Sequence, residues 1–187
     1  TFTASNGVGS NAVQSFTLTV NQAPSLSGAP PSGTLGTGYN HGFTVAGFPA
    51  PTLSLTAGTL PPGLTLVGNS ITGTPSAAGT FSGLTVSASN GVGSPATLDF
   101  SITINSAPAI TSGASTTFVV GTMGSFMVTA TGTPAPTITR TGTLPTGVTF
   151  TGGVLSGTPA AGTGGTYPLT FTASNGVGSN AVQSFTL

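Results

Sequence analysis

Apolar and polar residues alternate with a period of two along much of this chain. Every second residue from Ala96 to Ile104 is apolar, and the residues between them are Thr, Ser and one Asp. Residues 83–89 alternate in the same way, with Leu84 and Val86 on one face. Successive side chains of a β-strand point to opposite faces of the sheet, so this pattern predicts strands with one buried face.

The same reasoning predicts short strands in both halves of the chain. Further candidates are His41–Gly47, Pro51–Ala57, 64–68, 70–73, 125–132, 136–141, 148–152 and 167–174. No segment carries apolar residues at the helical period over three turns, and 30 Gly and 15 Pro punctuate the sequence. Many short strands separated by Gly and Pro turns predict an all-β chain of antiparallel β-sandwiches.

One strand breaks the alternation. In residues 180–187, Gln183 takes the position that Leu98 occupies in the related strand. We expect a β-bulge that turns Val182 inward and Gln183 outward. A buried, hydrogen-bonded Gln183 is the alternative.

The chain repeats itself. Residues 1–18 recur without change as residues 170–187, and SNGVGS also occurs at residues 89–94. Shorter echoes pair NQAP with NSAP, LPPGLTL with LPTGVTF, and GFPAPT with GTPAPT. Most of these echoes lie about 85 residues apart, slightly short of the roughly 100 residues of an immunoglobulin domain. One repeat is therefore long enough to form one sandwich.

This repeat predicts three units. Residues 1–20 form the C-terminal hairpin of a preceding repeat, residues 21–104 form one repeat, and residues 105–187 form the next. In each repeat, SNGVGS forms the tip of the last hairpin, because Asn-Gly is a strong turn signal. We interpret the sequence as a window from a longer tandem array. The alternative is that residues 1–20 are a hairpin donated to a neighbouring subunit.

The composition is nearly free of charge. Charged residues make up 1% of the chain, against about a quarter in ordinary domains; Arg140 and Asp99 are the only two, and His41 is the only histidine. The chain has no basic patch for nucleic acid or anionic membranes, and no apolar run nears the roughly 20 residues of a membrane-spanning helix. So few charges favour self-association. Cysteine and lysine are absent, which excludes disulfides and lysine isopeptide cross-links.

The repeats resemble the immunoglobulin-like repeats, related to cadherin-like and dystroglycan-type domains, of large bacterial surface proteins. NQAP at the start of the repeat, LPPGLTL, and ITGTPSAAGTFSGLTVSASNGVGS carry the resemblance. It implies tandem immunoglobulin-like β-sandwiches at the cell surface, used for spacing, adhesion or surface layers. Cadherin-like members commonly bind calcium through acidic residues near the last hairpin. Because Asp99 is the only carboxylate side chain here, we expect no calcium site.

No group of residues predicts catalysis. His41 has no thiol partner and one possible carboxylate, so we interpret it as a turn or strand-start residue. We expect Asp99 to be solvated or at an interface, and Arg140 to lie along a sandwich edge with its head in water; an Arg140–Asp99 pair is the alternative. The phenylalanines fit core positions, which leaves Tyr39 and Tyr167 as candidates for stacking on carbohydrate. We therefore predict no enzyme activity and no catalytic, cofactor-binding or metal site.

These observations favour a structural extracellular protein whose repeats build a filament or surface fibre by self-association. The short NSAP link, with its proline, favours stiff junctions between repeats. The alternative is an adhesin stalk or a carbohydrate-binding surface module. The chain contains no Asn-x-Ser/Thr sequon, but its outward Thr and Ser residues could carry O-linked sugars.

Overall fold

The computed structural model describes all 187 residues and contains β-strands but no helix. Consequently, no helix in it is long and apolar enough to cross a membrane. The chain begins with an antiparallel hairpin of β1 (Phe2–Ala4) and β2 (Ala12–Gln14). Two antiparallel sandwiches follow in tandem, which confirms the predicted all-β fold class.

The first sandwich is built from three sheets. Its strands are β3 (Gln22–Ser27), β4 (Gly33–Thr34), β5 (Tyr39–Gly42), β6 (Thr44–Phe48), β7 (Thr52–Ala57), β8 (Leu64–Val67), β9 (Ser70–Gly73), β10 (Gly79–Ser89) and the first part of β11 (Ala96–Ile110). One sheet pairs β3 with β6, and a second joins β5, β9 and β8. In the third, β10 lies between β7 and β11, and β4 pairs with β11 in parallel.

The second sandwich repeats this pairing. It uses the last part of β11 with β12 (Gly124–Met127), β13 (Ala130–Thr133), β14 (Thr137–Thr141), β15 (Val148–Thr151), β16 (Val154–Gly157), β17 (Pro168–Ser174) and β18 (Ala181–Thr186). The last part of β11 pairs with β13, a second sheet joins β12, β16 and β15, and a third joins β14, β17 and β18. Strands β4, β3 and β16 were not among the predicted candidates.

The predicted alternation places the core correctly. Leu84, Val86, Ile102 and Ile104 are fully buried between the sheets of the first sandwich. The second sandwich has a separate core, formed by six buried side chains: Val128, Val148, Leu155, Leu169, Phe171 and Phe185. Each sandwich thus has a hydrophobic core of its own, as expected of a domain built from packed layers.

Both cores contain an aromatic ring packed against a glycine, but the two sandwiches exchange the positions of ring and glycine. A Cβ atom on Gly33 would lie 2.9 Å from the Tyr39 ring, and a Cβ atom on Gly124 would lie 2.5 Å from the Phe118 ring. Gly33 and Phe118 occupy the same place in the repeat, as do Tyr39 and Gly124. One aromatic ring fills the space in each sandwich, and glycine faces it.

The expected bulge at Gln183 is wrong. Strands β17 and β18 pair without a register shift, with Gln183 opposite Phe171, and Val182 stays exposed. Gln183 points inward, and its Nε2 donates to the Ser112 carbonyl at 3.0 Å. The alternative of an inward, hydrogen-bonded Gln183 is correct because this carbonyl lies within its reach. The Gln183 Oε1 atom is buried without a hydrogen-bond partner.

Candidate functional site

The most distinctive feature of the chain is the junction between the sandwiches. We expected NSAP to be a short link, but residues 105–108 lie inside the continuous strand β11. The carbonyl oxygen of Asn105 accepts a hydrogen bond from the Leu35 N–H, in the first sandwich, at 2.8 Å. The Ser106 Oγ accepts one from the Thr133 N–H, in the second sandwich, at 3.0 Å. Consecutive residues of one strand are therefore held by different sandwiches.

A side-chain amide strengthens the second sandwich's hold on this strand. Asn175 Nδ2 donates to the carbonyl oxygens of Ser106 and Pro134, each at 2.8 Å. Its Oδ1 accepts from the Val177 N–H at 3.1 Å, which closes the turn. One Asn side chain thus joins the last hairpin, the entering strand and a proline loop.

The first sandwich contains the same arrangement. Asn90 Nδ2 donates to the carbonyls of Gln22 and Pro49, each at 2.8 Å. SNGVGS does form the hairpin tip, as predicted, but only its glycines adopt positive φ angles, with Gly91 at φ +76°. The asparagine acts through its side chain, a role that the Asn-Gly turn signal did not predict.

His41 lies on β5 in a half-buried position. Its ring packs edge-on against Phe43, with centroids 5.0 Å apart, and its Nε2 lies 3.2 Å from the Gly28 carbonyl oxygen. It faces Ile71 across the strands, as Phe126 faces Leu155 in the second sandwich. The imidazole therefore takes the position that the Phe126 ring has in the second sandwich.

The two charged side chains lie apart and form no ion pair with each other. Asp99 is exposed on β11, and its Oδ1 accepts a hydrogen bond from Thr85 Oγ1 at 2.7 Å. Arg140 lies opposite Phe171 as Leu55 lies opposite Val86, so Arg140 and Leu55 occupy equivalent positions in the two sandwiches. Its guanidinium donates to the nearby Gly142 carbonyl. No three His, Cys, Asp or Glu side chains group together to hold a metal ion.

The two tyrosines have different environments. Tyr39 is buried in the first core, and its hydroxyl donates to the Pro31 carbonyl at 2.8 Å. Burial raises the pKa of Tyr39 above its ordinary value of 10.0. Because the Tyr39 ring is buried, neither of its faces is free to stack on carbohydrate.

Tyr167 lines a half-open cavity of about 270 Å³ together with Thr116, Phe118 and Leu187. Its hydroxyl donates to the Thr163 carbonyl at 2.8 Å. In the first sandwich, the Ile104 side chain of β11 lies 3.0 Å from the position that a Cβ atom on Gly33 would take.

The hairpin of residues 1–18 presents apolar side chains to solvent. Phe2 is 61% exposed and Phe16 is 57% exposed, whereas the identical Phe171 and Phe185 are 0% and 2% exposed. Leu18 and Val20, which follow strand β2, are exposed as well. The same sequence is thus a core element in one place and an uncovered surface in the other.

Comparison with known proteins supports an immunoglobulin-like fold. Residues 107–187 match the family model described as "Putative Ig domain". No curated protein sequence matches the chain significantly.

Among solved structures, "Sidekick-1 immunoglobulin domains 1-4" matches with a TM-score of 0.61 and 16% identity, covering 99% of this chain and 56% of that one. The N-terminal four Ig domains of Dscam1 isoform 7.44 match with a TM-score of 0.63 and 14% identity, covering 90% and 46%. "Titin Ig tandem domains A164-A165" match with a TM-score of 0.51 and 15% identity, covering 89% and 97%.

The chain therefore spans about half the length of the Sidekick-1 and Dscam1 structures. At these identities the likeness concerns the fold. The tandem sandwiches are immunoglobulin-like, and their strand pairing agrees with the family match to the second of them.

Proposed function

We propose that this chain is a non-catalytic structural module of an extracellular protein, in which tandem immunoglobulin-like repeats build a filament or surface fibre. The observation that carries the proposal is strand β11, which belongs to both sandwiches. Because no free linker residues separate the two sandwiches, a bending force on one sandwich acts directly on the next through this strand. In such an array, stability is the sum of each repeat and its coupling to its neighbours.

The surface chemistry supports close packing of copies. The outward positions of β7, β10 and β11 carry mainly Thr and Ser, and Asp99 is their single charge. Several of these hydroxyls bond to neighbouring strands, as Thr80 does to Thr103 at 3.1 Å. Neutral faces approach one another without like-charge repulsion, and salt screens such contacts little. We infer that self-association of this chain depends weakly on salt and pH.

The repeat boundaries and the cellular setting belong to the same proposal. We place the repeats at 21–104 and 105–187, with residues 1–20 as the end hairpin of another repeat. The resemblance to cadherin-like and dystroglycan-type repeats suggests the surface of a bacterium. With a single carboxylate side chain in the sequence, stiffness would come from the shared strand and not from calcium.

Electron microscopy of the assembled material tests this function. We expect rods with an axial repeat of one or two sandwich lengths, each ~40 Å for strands of this size with their loops. The rods should persist in EDTA and through several-fold changes in salt. Compact, separate particles, or rods that dissolve in EDTA, would contradict the proposal.

A carbohydrate-binding module is the second candidate, supported by the cavity beside Tyr167 and its hydroxyl-rich lining. Saturable binding on a glycan array that is lost in a Tyr167→Ala variant would favour the second candidate.

A further inference from the structure

Strand β7 lies at the free edge of its sheet. It pairs with β10 on one side, and no strand pairs with its other side. Its residues take part in none of the backbone hydrogen bonds of the turns and loops. The register shift between β7 and β10 falls after Leu55, so residues 52–55 keep regular pairing. Such an edge presents free backbone N–H and C=O groups to which a further strand can pair.

The sequence of this edge is a palindrome. Residues 52–56 read Thr-Leu-Ser-Leu-Thr in either direction. If two copies pair antiparallel about Ser54, every residue of the stretch lies opposite an identical residue of the other copy. Directly opposed side chains share a face, so leucines meet leucines on the inner face and hydroxyls meet hydroxyls on the outer face. Leu53 and Leu55 are half-buried against the first core, and the partner's leucines would continue this apolar layer.

The equivalent edge of the second sandwich is protected. Strand β14 also lies at the end of its sheet, but it reads Thr-Ile-Thr-Arg-Thr, with Arg140 in the position of Leu55. Self-pairing about Thr139 would set Arg140 of each copy against Ile138 of the other. The only carboxylate side chain, Asp99, lies in the first sandwich and cannot pair with these guanidinium groups. Inward-pointing charges on edge strands prevent edge-to-edge pairing, and β7 has none.

We propose that β7 pairs antiparallel with β7 of a second copy of this chain, about a two-fold axis at Ser54. The inference rests on the proposed self-association and names one lateral contact for it. The palindrome argues for the same chain as the partner, because an unrelated strand has no reason to match it residue for residue. Strands this short pair weakly between two single chains. In neighbouring arrays the same contact recurs, so its effect multiplies through effective concentration.

Cysteine cross-linking of the full chain, which has no native cysteine, tests this pairing. Ser54→Cys places a thiol at the two-fold axis, where opposed Cα atoms lie about 4.5–5.5 Å apart, within disulfide range. We expect mild oxidation to give a disulfide-linked dimer on non-reducing gels. The matched control is Thr139→Cys, at the equivalent exposed position of β14, which should stay monomeric. Thr52→Cys should also stay monomeric, because Thr52 lies opposite Thr56 of the other copy and not opposite itself.

A second comparison transfers the protecting residue. Leu55→Arg, added to Ser54→Cys, gives β7 the arginine that β14 carries and should abolish the dimer. The second sandwich accommodates arginine at this position, and circular dichroism checks that the variant folds.

Equal dimer yields from the three cysteine variants, or a dimer that survives Leu55→Arg in the folded chain, would overturn the pairing. If the unaltered chain forms rods while Ser54→Cys gives no dimer, this inference falls and the proposed function stands. A Ser54→Cys dimer without rods would leave the pairing standing and contradict the proposed function.

Discussion

The carbonyl oxygen of Asn105 accepts a hydrogen bond from the first sandwich, and that of the next residue, Ser106, accepts one from the second, both at 2.8 Å. The donors are the Leu35 N–H and the Asn175 side-chain amide. No residue of β11 between the two sandwiches is therefore left as a free hinge. This relationship connects the local chemistry of NSAP and SNGVGS to the mechanical role proposed for the chain.

The side-chain amide of Asn175 should stabilise the second sandwich because it has two backbone carbonyl acceptors there, which the identical Asn6 lacks. We expect Asn175→Ala to lower the free energy of unfolding of the second sandwich by about 2 kcal/mol, because two hydrogen bonds to backbone carbonyls are lost. Hydrogen exchange of amides in β11, β17 and β18 would measure the change. The control is Asn6→Ala in the identical sequence, which should change stability by less than about 0.5 kcal/mol. Equal losses of stability in the two variants would refute the stabilising role proposed for the Asn175 hydrogen bonds.

The twin phenylalanines give a second matched comparison. Phe171→Ala should destabilise the second sandwich by about 3–5 kcal/mol, because it opens a cavity in a closed core. Phe2→Ala removes the same side chain from an exposed hairpin and should cost less than about 0.5 kcal/mol in the isolated chain. Denaturant unfolding followed by circular dichroism measures both. A large loss of stability in Phe2→Ala would mean that residues 1–18 are covered even in the monomer.

The exchanged ring positions should be energetically coupled. Gly124→Tyr alone should clash with Phe118, and Phe118→Gly alone should leave a cavity. The double variant reproduces the Gly33 and Tyr39 arrangement of the first sandwich and should recover about 2 kcal/mol relative to the sum of the single changes. A double-mutant cycle from thermal unfolding measures this coupling. If the stability changes of the two single substitutions simply add up in the double variant, the second sandwich cannot adopt the ring and glycine packing of the first.

Alkaline pH should weaken the first sandwich through Tyr39. Burial raises the pKa of Tyr39 in the folded state above 10.0, so its contribution is fully present below pH 10.0 and is lost as pH rises through the folded value. We expect the free energy of unfolding of the unaltered chain to fall as the pH rises above 10.0. Tyr39→Phe should remove this part of the pH dependence, at the cost of the bond to Pro31. An identical alkaline fall in Tyr39→Phe would exclude Tyr39 as its cause.

The sequence predicts most of the strands because their alternation is strict and their turns carry Gly and Pro. It places Leu84, Val86, Ile102 and Ile104 in the core for that reason. It fails at Gln183, because the choice between a bulge and an inward amide depends on the Ser112 carbonyl, which belongs to a distant segment. It fails at NSAP because a proline beside a strand suggests a break, whereas β11 absorbs Pro108 at a register shift.

The candidate site was only partly visible in the sequence. Repetition indicated that residues 1–18 are a hairpin, and low charge indicated self-association. The role of Asn90 and Asn175 depends on acceptors in strands and loops far along the chain, so no local pattern reveals it. The contrast between Phe2 and Phe171 cannot be read from the sequence, because their surroundings in the sequence are identical.

The central claim is that β11 holds neighbouring sandwiches in one fixed orientation. Spin labels on Thr65→Cys and Thr149→Cys, equivalent exposed positions on β8 and β15, would report the distance between the sandwiches in this cysteine-free chain. Pulsed electron paramagnetic resonance should give a single narrow distance distribution that is unchanged by EDTA and by salt. A broad distribution, or one that widens when EDTA is added, would contradict the claim.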